Sequence, residues 1–392
     1  MLSGRKTKYR FPWRAGNRFT IHSDGEEFFP AMLDAVRDAR SHVLLEMYLV
    51  ESGAVTAQFV EALCGVAQAG VAVYLLLDDF GVRGLSRFER TRLTASGVDI
   101  AYYNPVRYTK YRRNLFRDHR KLLLVDAEVA FAGGTGLTDE FDRNRLGRRR
   151  WHEVMVETRG PCVADWQALF VSNWREWSRV PLELPASVYA PDPRNQLGRV
   201  ACSEIGRPVE VKRSVLNRIH RARKRLWIAT AYFIPSWKIR RALRRAARRG
   251  VDVRLLLPGP RTDHPAVRYA GRRFYGRLLR HGVRIYEYQP SVLHAKMVVS
   301  DTWAAIGSSN IDRWNLRWNL EANQEMDDAG VAQEIAALFR RDFAHSLEIH
   351  YEEWQRRPWR PRLMEWFWGS VDVWLERYTR LSELRRTLRR PR

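Results

Sequence analysis

At 392 residues, with 45% hydrophobic and 12% aromatic content, the chain can bury two cores of ordinary domain size, which excludes a disordered or low-complexity polymer. Its formal net charge of +24 excludes an acidic solvating chain and favours polyanionic partners, either anionic lipid headgroups or nucleic acid. No apolar run approaches the roughly 18 residues that span a bilayer, and the N-terminal MLSGRKTKYRFPWRAG has no signal-peptide core, so a protein made and kept in the cytoplasm is expected.

Helical and strand-like patterns alternate along the chain. The first half offers helices near 27–41 and 54–69 and strands in HVLLEMYLV (42–50), VAVYLLLDD (71–79) and KLLLVD (121–126). The Pro-containing stretch 181–196 reads as a connection. The second half repeats the alternation with strands in RLWIATAYFI (225–234), VDVRLLLPG (251–259) and KMVVSD (296–301) and helices near 236–249 and 329–348. This is an α/β pattern. Gly70 and Gly250, each closing a helix before an apolar strand, lie 180 residues apart and suggest an internal repeat. Cys64, Cys162 and Cys202 show no paired spacing and fit a reducing compartment.

The tail, 351–392, is aromatic and basic. Leu363, Phe367, Val371, Trp374, Tyr378, Leu381, Leu384 and Leu388 step by three or four and form an apolar stripe. Such a helix suits a membrane interface or packs on the protein's own core; its aromatics and arginines also suit base stacking. Basic clusters at RYTKYRRNLFRDH, RNRLGRRRW and RRALRRAARRG each read singly as solvated faces. His152 and His220 lack a partner pattern and read as surface or packing histidines.

The repeat is sharpest in two short patterns, His119, Lys121 and Asp126 in HRKLLLVD and His294, Lys296 and Asp301 in HAKMVVSD, 175 residues apart at all three positions. Each precedes a small-residue turn, Gly133-Gly134-Thr135-Gly136 and Gly307-Ser308-Ser309-Asn310. The chain holds eight lysines, and two of them fall in these patterns. On a strand, residues two apart share a face, so His and Lys of each copy emerge together.

The duplicated HxKxxxxD followed by a GG or GS turn resembles the phospholipase D superfamily. The order of further landmarks over roughly 15–350 is similar to its bacterial cardiolipin synthase branch: Asp24-Gly25, Glu46-Met47-Tyr48, Trp151, Ala231-Tyr232-Phe233-Ile234-Pro235, Tyr286-Glu287-Tyr288, Asn310-Ile311-Asp312, Asn319 and Glu321. The resemblance implies two similar α/β sandwich domains, 15–180 and 201–350, joined by a linker at 181–200 and packed pseudo-symmetrically around one shared active site. It implies that Asp126 and Asp301 are mainly structural, that Glu153 and Glu321 hold the imidazoles, and that Asn310 and Ser308 contact phosphate. Gly136 departs from the Asn usual in the family, and Thr135 or Thr138 is the expected compensation.

The residue types suit phosphodiester chemistry. The anionic ester repels nucleophiles, so a site must neutralise its oxygens and protonate the leaving alkoxide. One imidazole can attack phosphorus to give a phosphohistidine while the other carries the proton, and Lys121 and Lys296 serve as compact counter-charges without metal or cofactor. By resemblance His119 is the nucleophile, phosphatidylglycerol the donor and a second phospholipid hydroxyl the acceptor, at the cytoplasmic face of a bacterial membrane, in the subtype without N-terminal transmembrane helices. A phospholipase or nuclease using water, and a non-catalytic membrane- or nucleic-acid-binding protein, are the alternatives.

Overall fold

The computed structural model describes residues 9–107, 109, 114–142, 150–182, 184, 191–204, 210–312, 318–359 and 362–370. In the first half, strands His42–Met47, Ala72–Asp78 and Asp99–Tyr103 run parallel. They do so because the helices Ala54–Gln68 and Arg87–Ala95 return the chain to the same end each time. Lys121–Val125 pairs antiparallel with His42–Met47, and Val129–Gly133, Val154–Arg159 and Arg14–Ser23 extend the sheet from there.

The second half repeats this order. From its edge run Arg284–Tyr288, Asp252–Pro258, Arg225–Ala229, Met297–Ser300, Trp303–Gly307, Asn319–Asp327 and Gln196–Ser203, with Ser346–Ile349 added outside. The two series meet where Arg14–Ser23 pairs antiparallel with Gln196–Ser203, Arg14 opposite Gly198 and Asn17 opposite Gln196. The motif strands Lys121–Val125 and Met297–Ser300 are buried along their whole length, which is why both read as unbroken apolar runs.

Three hydrophobic cores follow from this arrangement. One lies under the helices Gly25–Arg37 and Ala54–Gln68 and includes Phe28, Phe59, Leu75 and Leu123. A second lies under Glu210–Arg221 and Trp237–Arg248 and includes Ile219, Leu243, Leu255 and Ile285. The third belongs to both halves: Leu122, Leu124 and Val156 pack with Val299, Ile306 and Met326, covered by Trp166 and Phe170 of Cys162–Trp177 and Phe339 of Ala329–Ala344. Each fully buried aliphatic or aromatic side chain contributes about 1.5–3 kcal/mol, so this core fixes the halves relative to each other.

The expected helices at 54–69 and 236–249 correspond to Ala54–Gln68 and Trp237–Arg248, while 27–41 starts and ends earlier, at Gly25–Arg37. Gly70 and Gly250 both adopt positive φ, 95° and 86°, as helix-ending residues. The expected linker 181–200 overlaps the strand Gln196–Ser203, so its last residues are part of the sheet; 183 and 185–190 lie outside the described residues. In the tail, Tyr351–Arg356 and 362–370 are helical, and the stripe positions from Val371 to Leu388 lie outside the described residues. No described helix is long and apolar enough to cross a membrane.

Candidate active site

Each motif enters the site along a two-residue strand that pairs with the opposite half. Arg117–Asp118 runs parallel to the start of Asn319–Asp327, and Val292–Leu293 runs parallel to Trp151–His152. Reciprocal backbone bonds continue the pairing: His119 N donates to Leu320 O at 3.0 Å and His294 N to His152 O at 2.8 Å. The next residue on each partner strand is a glutamate, Glu321 and Glu153. Both are fully buried.

The acids therefore serve the histidines crosswise. Glu321 Oε1 lies 3.0 Å from His119 Nδ1, within ion-pair range though off the line of a hydrogen bond. Glu153 Oε2 lies 2.7 Å from His294 Nδ1 and accepts from Lys296 Nζ at 3.2 Å. Lys296 Nζ is also 2.9 Å from His294 Nδ1, while Lys121 Nζ donates to His119 O at 2.6 Å. A carboxylate on Nδ1 fixes the tautomer and leaves Nε2 as the reacting nitrogen.

Burial shapes the charge state of this cluster. It lowers His119, with Lys121 adding to the effect, and it lowers His294 to about 4 with help from Lys296. Burial also brings Lys121 down to about 7, opposed by Glu321 and reinforced by Lys296. Lys296 is lowered by burial against the pull of Glu153. Burial pushes Glu153 upward, but Lys296 and His294 hold it below the ordinary carboxylate value.

The other sequence-selected residues divide. Asp126 and Asp301 sit in the turns at the far ends of the motif strands, each with φ 53°. Their carboxylates accept from the backbone N–H groups of Arg40, Ser41 and His42, and of Arg223, Lys224 and Arg225, at 2.8–3.1 Å, so they anchor strands and stand apart from the histidines. Ser308, expected on phosphate, donates its hydroxyl to Glu321 and accepts from Ala322 N at 3.1 Å. Thr135 is fully buried and donates to Gly136 O at 3.1 Å. Asn310 Oδ1 accepts from Thr230 Oγ1 and Tyr232 N at 3.1 and 3.2 Å, leaving its buried Nδ2 with no protein partner among the described residues.

Two glycines of the first turn have steric reasons. A Cβ on Gly134 would stand 2.1 Å from Glu153 Oε2, so Glu153 occupies space that Ser308 fills in the other half. A Cβ on Gly136 would meet Leu49 O and Cβ at 2.9 Å, so an Asn there requires the Leu49 backbone to move. Three features escaped the sequence. The Tyr48 ring packs 4.9 Å from His119 with Lys121 Nζ 5.0 Å from its centroid, and Trp151 and Phe141 pack 4.9 and 5.6 Å from His294. Of the surface and packing readings of His152, burial selects packing, and its ring is also ion-paired, with Nδ1 2.6 Å from Asp24 Oδ1 and Nε2 3.1 Å from Asp342 Oδ2. Alternation along Trp151-His152-Glu153 puts its ring opposite Trp151 and Glu153.

Known proteins carry the same architecture. The structure superposes on phosphatidylserine synthase from Haemophilus influenzae with a TM-score of 0.69 at 12% identity, covering 93% of this chain and 96% of that one. It superposes on polyphosphate kinase from Porphyromonas gingivalis with a TM-score of 0.58 at 15% identity, covering 86% and 49%. At these identities the likeness concerns the fold. Residues 215–343 match the family described as "Cardiolipin synthase, PLD-like domain". Cardiolipin synthase from Geobacillus kaustophilus is 31% identical over 364 residues, 90% of this chain and 72% of that protein. Cardiolipin synthase B from Escherichia coli K12 is 34% identical over 337 residues, 82% and 79%. Cardiolipin synthase A from Pseudomonas aeruginosa PAO1 is 34% identical over 354 residues, 88% and 70%. With its duplicated motif inside a duplicated sheet, the chain belongs to the cardiolipin synthase family of phospholipase D-like phosphatidyltransferases.

Proposed function

We propose that the enzyme transfers a phosphatidyl group from phosphatidylglycerol to the free hydroxyl of a second phosphatidylglycerol through a phosphohistidine on His119. The observation that carries the reading is the crosswise pairing of each motif histidine with the buried glutamate of the other half. His119 Nε2 attacks phosphorus, the bond to the glycerol oxygen breaks, and His294 gives that oxygen its proton. The acceptor hydroxyl then yields its proton to His294 and attacks phosphorus, the P–N bond breaks, and cardiolipin leaves.

The aligned Glu153 contact supports His294 as the proton carrier, because it stabilises the imidazolium. His294 is lowered by burial and Lys296; a bound phosphodiester offsets both by pairing with Lys296 and replacing lost solvation. Lys121, Lys296 and Asn310 Nδ2, which has no partner among the described residues, are the proposed phosphate contacts. The buried, unpaired cysteines fit action at the cytoplasmic face of a bacterial membrane.

The test is product analysis with phosphatidylglycerol alone, together with a denaturing alkaline quench, in which the acid-labile P–N bond survives, to detect a phosphatidylated histidine. Cardiolipin and glycerol in equal amounts, with phosphate on His119, are expected. Phosphatidic acid as sole product would make the protein a hydrolase, and phosphate on His294 would reverse the roles.

A further inference from the structure

We infer that the surface carrying Phe80, Val106 and Leu115 is where the enzyme seats its site on an anionic phospholipid bilayer. This rests on the reading above, since a diester whose acyl chains stay in the bilayer reaches buried histidines only if the mouth of the site lies against the lipid. Phe80, Val106 and Leu115 are 52%, 38% and 55% exposed although large and apolar. They occupy two connections, one after Ala72–Asp78 and one between Asp99–Tyr103 and Arg117–Asp118, at the end of the sheet where the first motif begins.

Hydrogen bonds tie these connections into one platform beside His119. Buried Asp78 accepts from Phe80 N at 2.9 Å, from Gly81 N at 3.2 Å, from Asp118 N at 2.9 Å and from Arg117 Nη1 at 3.2 Å. Asp79 accepts from Val106 N at 3.0 Å. Asn114 exchanges two bonds with the backbone of Arg107, and Asn104 donates to Phe116 O at 2.8 Å, which places Leu115 beside Val106. The Phe116 ring packs 5.2 Å from Trp318, carrying the platform to the strand that bears Glu321. The apolar side chains therefore stand outward from a fixed base that also holds the run-in to His119.

Charge selects the lipid as occupant. The Arg83 guanidinium lies 5.0 Å from the Phe80 ring centre and Arg107 is exposed next to Val106, so cations flank the apolar group. Rings and aliphatic groups at interface depth with arginines at headgroup level suit anionic lipid. A protein partner is the other outcome of the test.

The experiment compares the full chain with Phe80→Ser/Leu115→Ser. Binding to phosphatidylglycerol vesicles is read by sedimentation in a His119→Ala background, so that the lipid is not converted. Turnover is read on vesicles and on short-chain phosphatidylglycerol dispersed below its micellar concentration. The double variant should bind vesicles about tenfold or more weakly and lose turnover of vesicle lipid in proportion, with short-chain turnover within about twofold of the parent. Unchanged vesicle binding overturns the proposal. A fall in short-chain turnover with vesicle binding intact would assign these residues to the site itself, and vesicle binding and turnover both unchanged would leave this surface to a protein partner. If the parent turns over neither substrate, the transferase reading fails, while the binding comparison still decides whether this surface meets the bilayer.

Discussion

His119 and His294 differ in surroundings but share one reaction, so neither substitutes for the other. His119→Ala and His294→Ala are each expected to lower kcat/KM by several orders of magnitude, and the double variant little further, because the residues act as a unit. Full activity in either single variant on short-chain lipid would exclude a shared site. Lys121 carries the pH dependence. With its ammonium lowered to about 7, its positive charge is present below that value and lost as pH rises through it. KM for short-chain phosphatidylglycerol should therefore rise above about pH 7 in the parent. Lys121→Arg keeps its charge at all these pH values, so the KM rise should flatten. Its planar fork does not fit a compact ammonium site, however, so kcat should fall by at least about tenfold. A parallel KM profile in both proteins would place the titration elsewhere.

At the scale of elements, the Asp24–His152–Asp342 contact joins Trp151–His152 of the first half to Ala329–Ala344 of the second. Burial opposes charge on His152, but Asp342 and Asp24 raise it well above its ordinary value. A raised folded pKa stabilises fully below the unfolded value of about 6.5, and the contribution is lost as pH rises through the folded value. Asp24, lowered on balance by His152 and Arg150 although burial pushes it up, acts in the opposite sense and loses its contribution as pH falls through its folded value. His152→Ala should cost about 3 kcal/mol or more in chemical denaturation near pH 6, with the difference shrinking toward alkaline pH. A pH-independent difference would mean that packing against Tyr288, 5.2 Å away, is all the ring provides. This contact was illegible in the sequence because its partners lie 128 and 190 residues from His152. The motif strands were legible because burial on both faces writes an unbroken apolar run, as in Leu122–Val125. The two-residue strands that bring Glu321 and Glu153 to the opposite histidines are too short to carry any periodicity. Those glutamates were assigned through resemblance, and nothing in the pattern around Ser308 shows that its hydroxyl turns toward Glu321.

At the scale of the molecule, the tail is two things. Its front is part of the second half: buried Trp354 packs 5.1 Å from Tyr275 and 4.9 and 3.9 Å from the guanidinium groups of Arg272 and Arg357. Glu365 bridges Arg272 and Arg357 at 3.2 and 2.7 Å, and Arg273 reaches Gly369 O. On the outer side, Leu363, Trp366 and Phe367 are exposed. The choice between core packing and interfacial helix thus divides within the tail, and two truncations separate the contributions. Ending the chain after 350 removes Trp354 and should cost about 3–5 kcal/mol, seen as a lower thermal midpoint. Ending it after 370 keeps every contact named here and removes Trp374, Tyr378 and the terminal RRTLRRPR. That shorter cut should leave the midpoint unchanged and weaken binding to anionic vesicles. Added salt should weaken the parent's binding only partly, because ions screen arginine attraction but not the burial of aromatic rings. If the cut after 370 lowers the midpoint as much as the cut after 350, residues 371–392 belong to the folded core. If it changes neither midpoint nor vesicle binding, those residues contribute nothing to the membrane surface, and the exposed residues elsewhere must carry it.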